Sequence, residues 1–237
     1  MTLLSLYIFI VGVMAYLAFE HRISHSLARM SRRWVSNSSR SCAKGDSVVI
    51  CGPSGSGKGT LINRLLSTHP NIFALSVSHT SRLPRPGEID GYHYHFRSLE
   101  YLKNDIENGI IPYIEHAEVH GNLYGTRQDA VDSIHKHHKV CILDLDVKGV
   151  QQLKALGFSA HYIFLTPPSL QDLEDRLRGR HTESEESIQL RLANARAELA
   201  YGQSQGVFNY VLVNRHMDEA YGELEEIMKK WLPAYFV

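Results

Sequence analysis

Cysteine is scarce in this 237-residue chain, and neither sign of charge is in excess. The three cysteines, Cys42, Cys51 and Cys141, have neither the spacing of a metal site nor the density of a disulfide scaffold. Cys51 and Cys141 fall inside apolar runs, so buried thiols in a reducing compartment are expected. Basic and acidic residues number 25 each, a formal net charge of zero, which argues against a general nucleic-acid binder working through a basic surface. Internal repeats and low-complexity tracts are missing after residue 45. What remains is ordinary globular composition, 43% apolar and 21% charged. The length suffices for one substantial core with small inserted lobes, but hardly for two full domains.

The first 44 residues stand apart. Leu3 to Phe19 is an uncharged apolar run of 17 residues, at the lower edge for a membrane span and slightly beyond a signal-peptide core. Residues 21–44 then hold six basic residues and no acid, rich in Arg and Ser as transit peptides are. Three readings stay open: a signal anchor holding the compact part on the cytosolic side, a leader into a mitochondrion or plastid, and a rarely used upstream start. A membrane contact through residues 3–19 belongs to the first. The compact part is expected from about residue 45, where 19 basic residues face 24 acidic ones, and residues 233–237 read as a C-terminal tail.

The most informative stretch is Cys51-Gly52-Pro53-Ser54-Gly55-Ser56-Gly57-Lys58-Gly59-Thr60. It follows the apolar Val48-Val49-Ile50 and precedes Leu61 to Leu66, which has helical apolar spacing. Strand, glycine loop and helix in that order make a phosphate-binding loop. Glycines let the backbone approach phosphate oxygens, and the helix N-terminus adds partial positive charge. Gly52, Ser54, Gly55, Ser56, Gly57, Lys58, Gly59 and Thr60 are therefore candidate triphosphate contacts, with Lys58 reaching the β- and γ-phosphates. Gly59 stands where a Ser or Thr hydroxyl normally faces Mg²⁺, and Thr60 comes one place later. Metal binding is left more to water, phosphate and other side chains.

From residue 46 strand and helix alternate, which predicts a mainly parallel sheet in an α/β, three-layer fold. Val140 to Leu143, Tyr162 to Leu165 and Tyr210 to Val213 read as buried strands. Lys148 to Leu156, Ser169 to Arg178 and Met217 to Trp231 read as helices, the second with Asp172 at the capping-box position. Residues 76–126 break the rhythm. Their Gly, Tyr, His and Arg content, and the alternation Tyr92-His93-Tyr94-His95-Phe96, predict an inserted β-rich lobe. His135, His137 and His138 read as a solvated helix end rather than a metal site.

Several further blocks then agree in order and spacing. They are Ser76 to Glu88, Gly91 to Phe96, Glu115 to Thr126, Ile142 to Asp146, and Arg176-Leu177-Arg178-Gly179-Arg180 continuing to Arg191. With the phosphate loop they resemble guanylate kinase over essentially all of residues 46–232. The resemblance implies transfer of the γ-phosphoryl of ATP to GMP, with Mg²⁺, in a monomeric kinase domain. Its phosphate-binding lobe for GMP would span about 78–128 and its mobile lid about 176–191. It implies that Ser78, Arg82, Arg85, Tyr94, Glu115, Tyr124, Thr126 and Asp144 hold GMP. It places Arg176 and Asn214 on the ATP side, makes Lys58, Arg85, Arg180 and Arg191 catalytic, and sets Thr60, Asp144 and Asp146 around Mg²⁺ through water.

The chemistry agrees. Two arginines three residues apart can fork onto one phosphate, with Tyr94 adding a hydroxyl. Guanine presents N1–H and a 2-amino group side by side, so one carboxylate accepts from both, and adenine would leave it unpaired. Taken alone, Glu115 suits a solvated strand end and Asp146 suits a helix cap. The chain also departs from the family pattern: residues 110–114 are about two longer than usual, His116 replaces an aromatic, and Arg215-His216 replace an acidic continuation after Asn214. Two other classes fit fewer of these features, namely a phosphopeptide-binding scaffold module of the same fold and a kinase for another monophosphate.

Overall fold

The computed structural model describes residues 47–119, 121–179 and 184–237. Expectations for residues 1–44, and those for Arg180, lie outside the described residues. Among the described residues no helix is long and apolar enough to cross a membrane.

Five parallel strands form the central sheet in the order β2-β7-β1-β8-β9. They are β1 (Ser47–Cys51), β2 (Phe73–Leu75), β7 (Val140–Leu145), β8 (His161–Thr166) and β9 (Tyr210–Val213). The three central ones are buried on both faces, as their continuous Val, Ile, Leu and Phe runs require. Alternation divides the core. Val48, Ile50, Ile142, Ile163 and Leu165 pack with helices α1 (Lys58–Thr68) and α7 (Met217–Trp231) through Leu61, Leu65, Leu224 and Met228. Helices α4 (Val147–Ala155) and α6 (Glu185–Gly202) also pack on the sheet, against β1 and β7 and against β8 respectively. Gly202 lets α6 press onto β8, because a Cβ there would lie 2.1 Å from the Phe164 ring.

The sheet is wholly parallel where a mainly parallel one was expected, and Cys51 and Cys141 are buried in it. Helix α5 (Leu170–Arg178) begins as anticipated: Ser169 caps it by accepting from the Asp172 N–H at 3.0 Å, worth about 1 kcal/mol. Residues 233–237, read as a tail, turn back instead, and Phe236 stacks edge-on with His69 at 5.2 Å against the core.

The lobe inserted between β2 and β7 is a second sheet, β4-β3-β6-β5. Its strands are β3 (His79–Thr80), β4 (His95–Phe96), β5 (Tyr113–Val119) and β6 (Asn122–Arg127), accompanied by α2 (Leu99–Asn108) and α3 (Gln128–Lys136). Two expectations need correction. The Tyr92–Phe96 alternation yields a strand only at its last two residues, because Gly91 at φ 78° starts a turn in which Tyr92 and His93 both donate to the Ile89 carbonyl. The lobe also contains helix α2, started by Ser98 accepting from the Tyr101 N–H at 3.1 Å. The lengthened segment before Glu115 is taken up partly by a register shift between Tyr113 and Glu115.

Candidate active site

The carboxyl ends of β1 and β7 open into one cleft of about 900 Å³. Its floor is the glycine loop. Gly57 has φ 98°, and a Cβ there would stand 2.4 Å from the Asn214 amide nitrogen. That amide donates to the Ser56 carbonyl at 2.8 Å, and Asn214 is only 2% exposed. Asn214 therefore braces the loop from behind. Arg176 does so too, donating to the Asn214 carbonyl at 2.8 Å. Asn214 was expected near the adenine and Arg176 among the lid arginines on the ATP side. Their side-chain hydrogen bonds go to protein backbone at the loop's back, so the structure assigns them support of the loop.

Lys58 starts α1, and its Nζ donates to the Gly52 carbonyl at 2.6 Å while lying 3.9 Å from Asp144 Oδ1. Asp144 lies one residue before the end of β7, and burial raises its pKa against the opposing pull of Lys58. Asp146 caps α4, accepting from the Gly149 N–H at 2.8 Å while still lining the cleft, so the cap and the cleft readings both hold. Ser54, Gly59 and Thr60 line the same floor, and an added Cβ at Gly59 would meet nothing within 4 Å. From α6, Arg191 Nη1 donates to Ser54 Oγ at 2.7 Å, bringing a cation onto the loop.

The inserted lobe supplies the opposite wall. Arg82 is held bidentately by Glu88, both contacts at 2.9 Å, and its guanidinium lies over the Tyr94 ring at 5.4 Å. Glu88 also accepts from the Arg85 N–H at 2.6 Å, which tightens the turn presenting the exposed Arg85 side chain to the cleft. Tyr94 and Tyr124 meet edge to face at 5.9 Å. Ser78 and Thr126 share a hydroxyl–hydroxyl hydrogen bond of 2.8 Å. Glu115 pairs with Thr126 across the strands and is 3% exposed, not a solvated strand end. Burial pushes its pKa up to about 7, opposed by the Thr126 hydrogen bond and reinforced by Asp146.

The cleft thus gathers nearly every anticipated residue within the described part. Glu88 and Glu198 had no assigned role in the sequence. Glu198 lines the cleft from α6, its pKa raised by burial and by Asp146 against the pull of Lys58. It stands seven residues, two helical turns, beyond Arg191, so recognising α6 as a helix would have put both on one face. The spacing Arg82 to Glu88 carries no comparable period.

A parallel sheet with a glycine loop at its carboxyl edge, facing a lobe of arginines, tyrosines and a buried carboxylate, defines a nucleotide-binding α/β protein of the phosphate-loop class. The chain belongs to the guanylate kinase family, whose model, "Guanylate kinase", matches residues 44–231. It is 48% identical to Guanylate kinase 1 of Arabidopsis thaliana over 76% of this chain and 46% of that protein. It is also 48% identical to the guanylate kinase of Homo sapiens, over 77% of this chain and 92% of that one. The crystal structure of guanylate kinase from Anaplasma phagocytophilum superposes with a TM-score of 0.61 at 28% identity, covering 79% of this chain and 86% of that one. This chain therefore spans about half the length of the plant relative and most of the human one.

Proposed function

We propose that this chain transfers the γ-phosphoryl group of ATP to GMP or dGMP, giving ADP and GDP. The observation that carries the proposal is Glu115, a buried carboxylate hydrogen-bonded to a neutral hydroxyl and facing the same cleft as the phosphate loop. Such a group wants donors, and the N1–H and 2-amino groups of guanine supply two. Ser78 and Thr126, next to it, have hydroxyls to share with the base. Arg82, Arg85, Tyr94 and Tyr124 then hold the acceptor phosphate.

The donor lies on the loop. Phosphate oxygens take over Lys58 from the Gly52 carbonyl and Arg191 from Ser54, so both cations meet charge developing on the transferred group. Arg180, from its sequence position, joins them. The acceptor oxygen attacks in line and no covalent enzyme intermediate forms.

The residues present fit a hydrated Mg²⁺. Thr60, Asp144 and Asp146 offer hard oxygens along one floor, and the open space at Gly59 leaves room for water. When bound, the ion neutralises the donor phosphates. A coupled assay of the full chain with GMP, dGMP, AMP and UMP is the test. Turnover with the two guanine nucleotides is expected, and equal turnover with AMP would overturn the proposal.

A further inference from the structure

β5 is the outer strand of the inserted sheet, so one side of its backbone lacks a strand partner. Helix α4 covers that side. Gln152 grips the peptide groups of His116 with both ends of its amide: Nε2 donates to the His116 carbonyl at 2.6 Å, and Oε1 accepts from the His116 N–H at 3.0 Å. One turn earlier, Lys148 Nζ donates to the Glu118 carbonyl at 2.9 Å. The i, i+4 spacing of the helix thus meets the two-residue period of the strand, and a helix face does the work of a neighbouring strand. Gly149 sits in the same turn. A Cβ there would stand 3.0 Å from Glu115 Oε2, so the carboxylate occupies space that only glycine leaves.

We propose that Gln152 and Gly149 are specificity-determining positioning residues that fix the Glu115 carboxylate where it distinguishes guanine from other bases. This rests on the reading of Glu115 as the guanine acceptor. The two-point grip holds His116, the residue next to Glu115, in translation and rotation together. A single hydrogen bond would leave the strand free to pivot about it. Two parallel donors on one base edge demand such placement, because a carboxylate displaced by a fraction of an ångström meets one and misses the other. Gly149, on the same helix, sets the limit at the carboxylate itself by giving it room.

The alternative is that Gln152 merely docks a helix on a strand. Steady-state kinetics of the full chain and its Gln152→Ala and Gly149→Ala variants, with GMP and with IMP, which lacks the 2-amino group, separate the two. Both variants should raise the KM for GMP about tenfold, lower the GMP-over-IMP preference and leave the KM for ATP within about twofold. Gly149→Ala gains helix propensity against the 3.0 Å contact with Glu115, so it should lose discrimination while a thermal melt shows it still folded. If Gln152→Ala unfolds, Gln152→Glu, which keeps an acceptor for the His116 N–H but loses the donor to its carbonyl, should show the same loss of discrimination. Parental GMP-over-IMP ratios in folded variants would overturn the assignment. A parent chain with no preference for GMP over IMP would instead overturn the guanine reading beneath it.

Discussion

Glu115 holds its proton more tightly than an ordinary carboxyl, in a place where its charged form is wanted. Its pKa moves from 4.5 to about 7 because burial removes water that the Thr126 hydrogen bond only partly replaces. Between those values the folded chain keeps a proton that the unfolded chain has lost, so this residue's contribution to stability falls as pH rises from 4.5 through 7. Binding runs the other way. A protonated carboxyl presents a donor of its own and cannot accept from both guanine groups, so the KM for GMP should climb as pH drops below 7, approaching about tenfold per unit. Glu115→Gln should abolish that slope and the preference for GMP over IMP together, and a variant that keeps both would show that the carboxylate is not the reader. The identity of this residue was legible in the block from Glu115 to Thr126. Its burial was not, because the helix turn that closes on it at Gly149 comes some thirty residues along the chain.

At the level of elements, the loop between β1 and α1 was the easiest part to read, since its glycines have a local cause. What sequence reasoning could not see is the support behind it. Asn214 follows β9, at the far edge of the sheet, yet its amide fills the space that a side chain at position 57 would need. Gly57→Ala should therefore both strain a left-handed backbone and expel Asn214, costing about 1–3 kcal/mol of stability. The KM for ATP should rise more than that for GMP. A thermal melt paired with kinetics in each substrate checks this, and equal rises would mean the damage is not confined to the loop. Helix α2 was missed for a different reason: the composition of residues 76–126 is dominated by turn and aromatic residues, which hides one capped helical segment among short strands. Helix α6 went unassigned because its buried positions, Ile188, Leu192, Ala195 and Gly202, include two small residues that give little apolar signal.

On the scale of the whole chain, the cleft has two walls built from distant segments, one on the central sheet and one on the inserted lobe. Cations line both, and three of them are engaged by a protein oxygen: Lys58 by Gly52, Arg191 by Ser54, Arg82 by Glu88. Supplying GMP and a non-hydrolysable ATP analogue together should draw the walls inward, read as a smaller radius of gyration by X-ray scattering than with either alone. An unchanged radius with both sites filled would refute closure. The α/β class, the strand order's parallel character and the loop's position all followed from the alternation of apolar runs. The inward turn of the last residues did not, because Phe236 acquires meaning only through His69 and the core beside it.

Gly202 gives α6 a mechanical character. The helix lies close on the sheet where that residue meets Phe164, while Arg191 rides eleven residues away, about 16 Å along the axis. Were the helix to tilt about that contact, its charge would lie toward the far end of the lever. A tilt of about 10° there sweeps the guanidinium through roughly 3 Å, about the length of one hydrogen bond. Bulk added at position 202 would jam the pivot and detune a contact more than a dozen ångströms away.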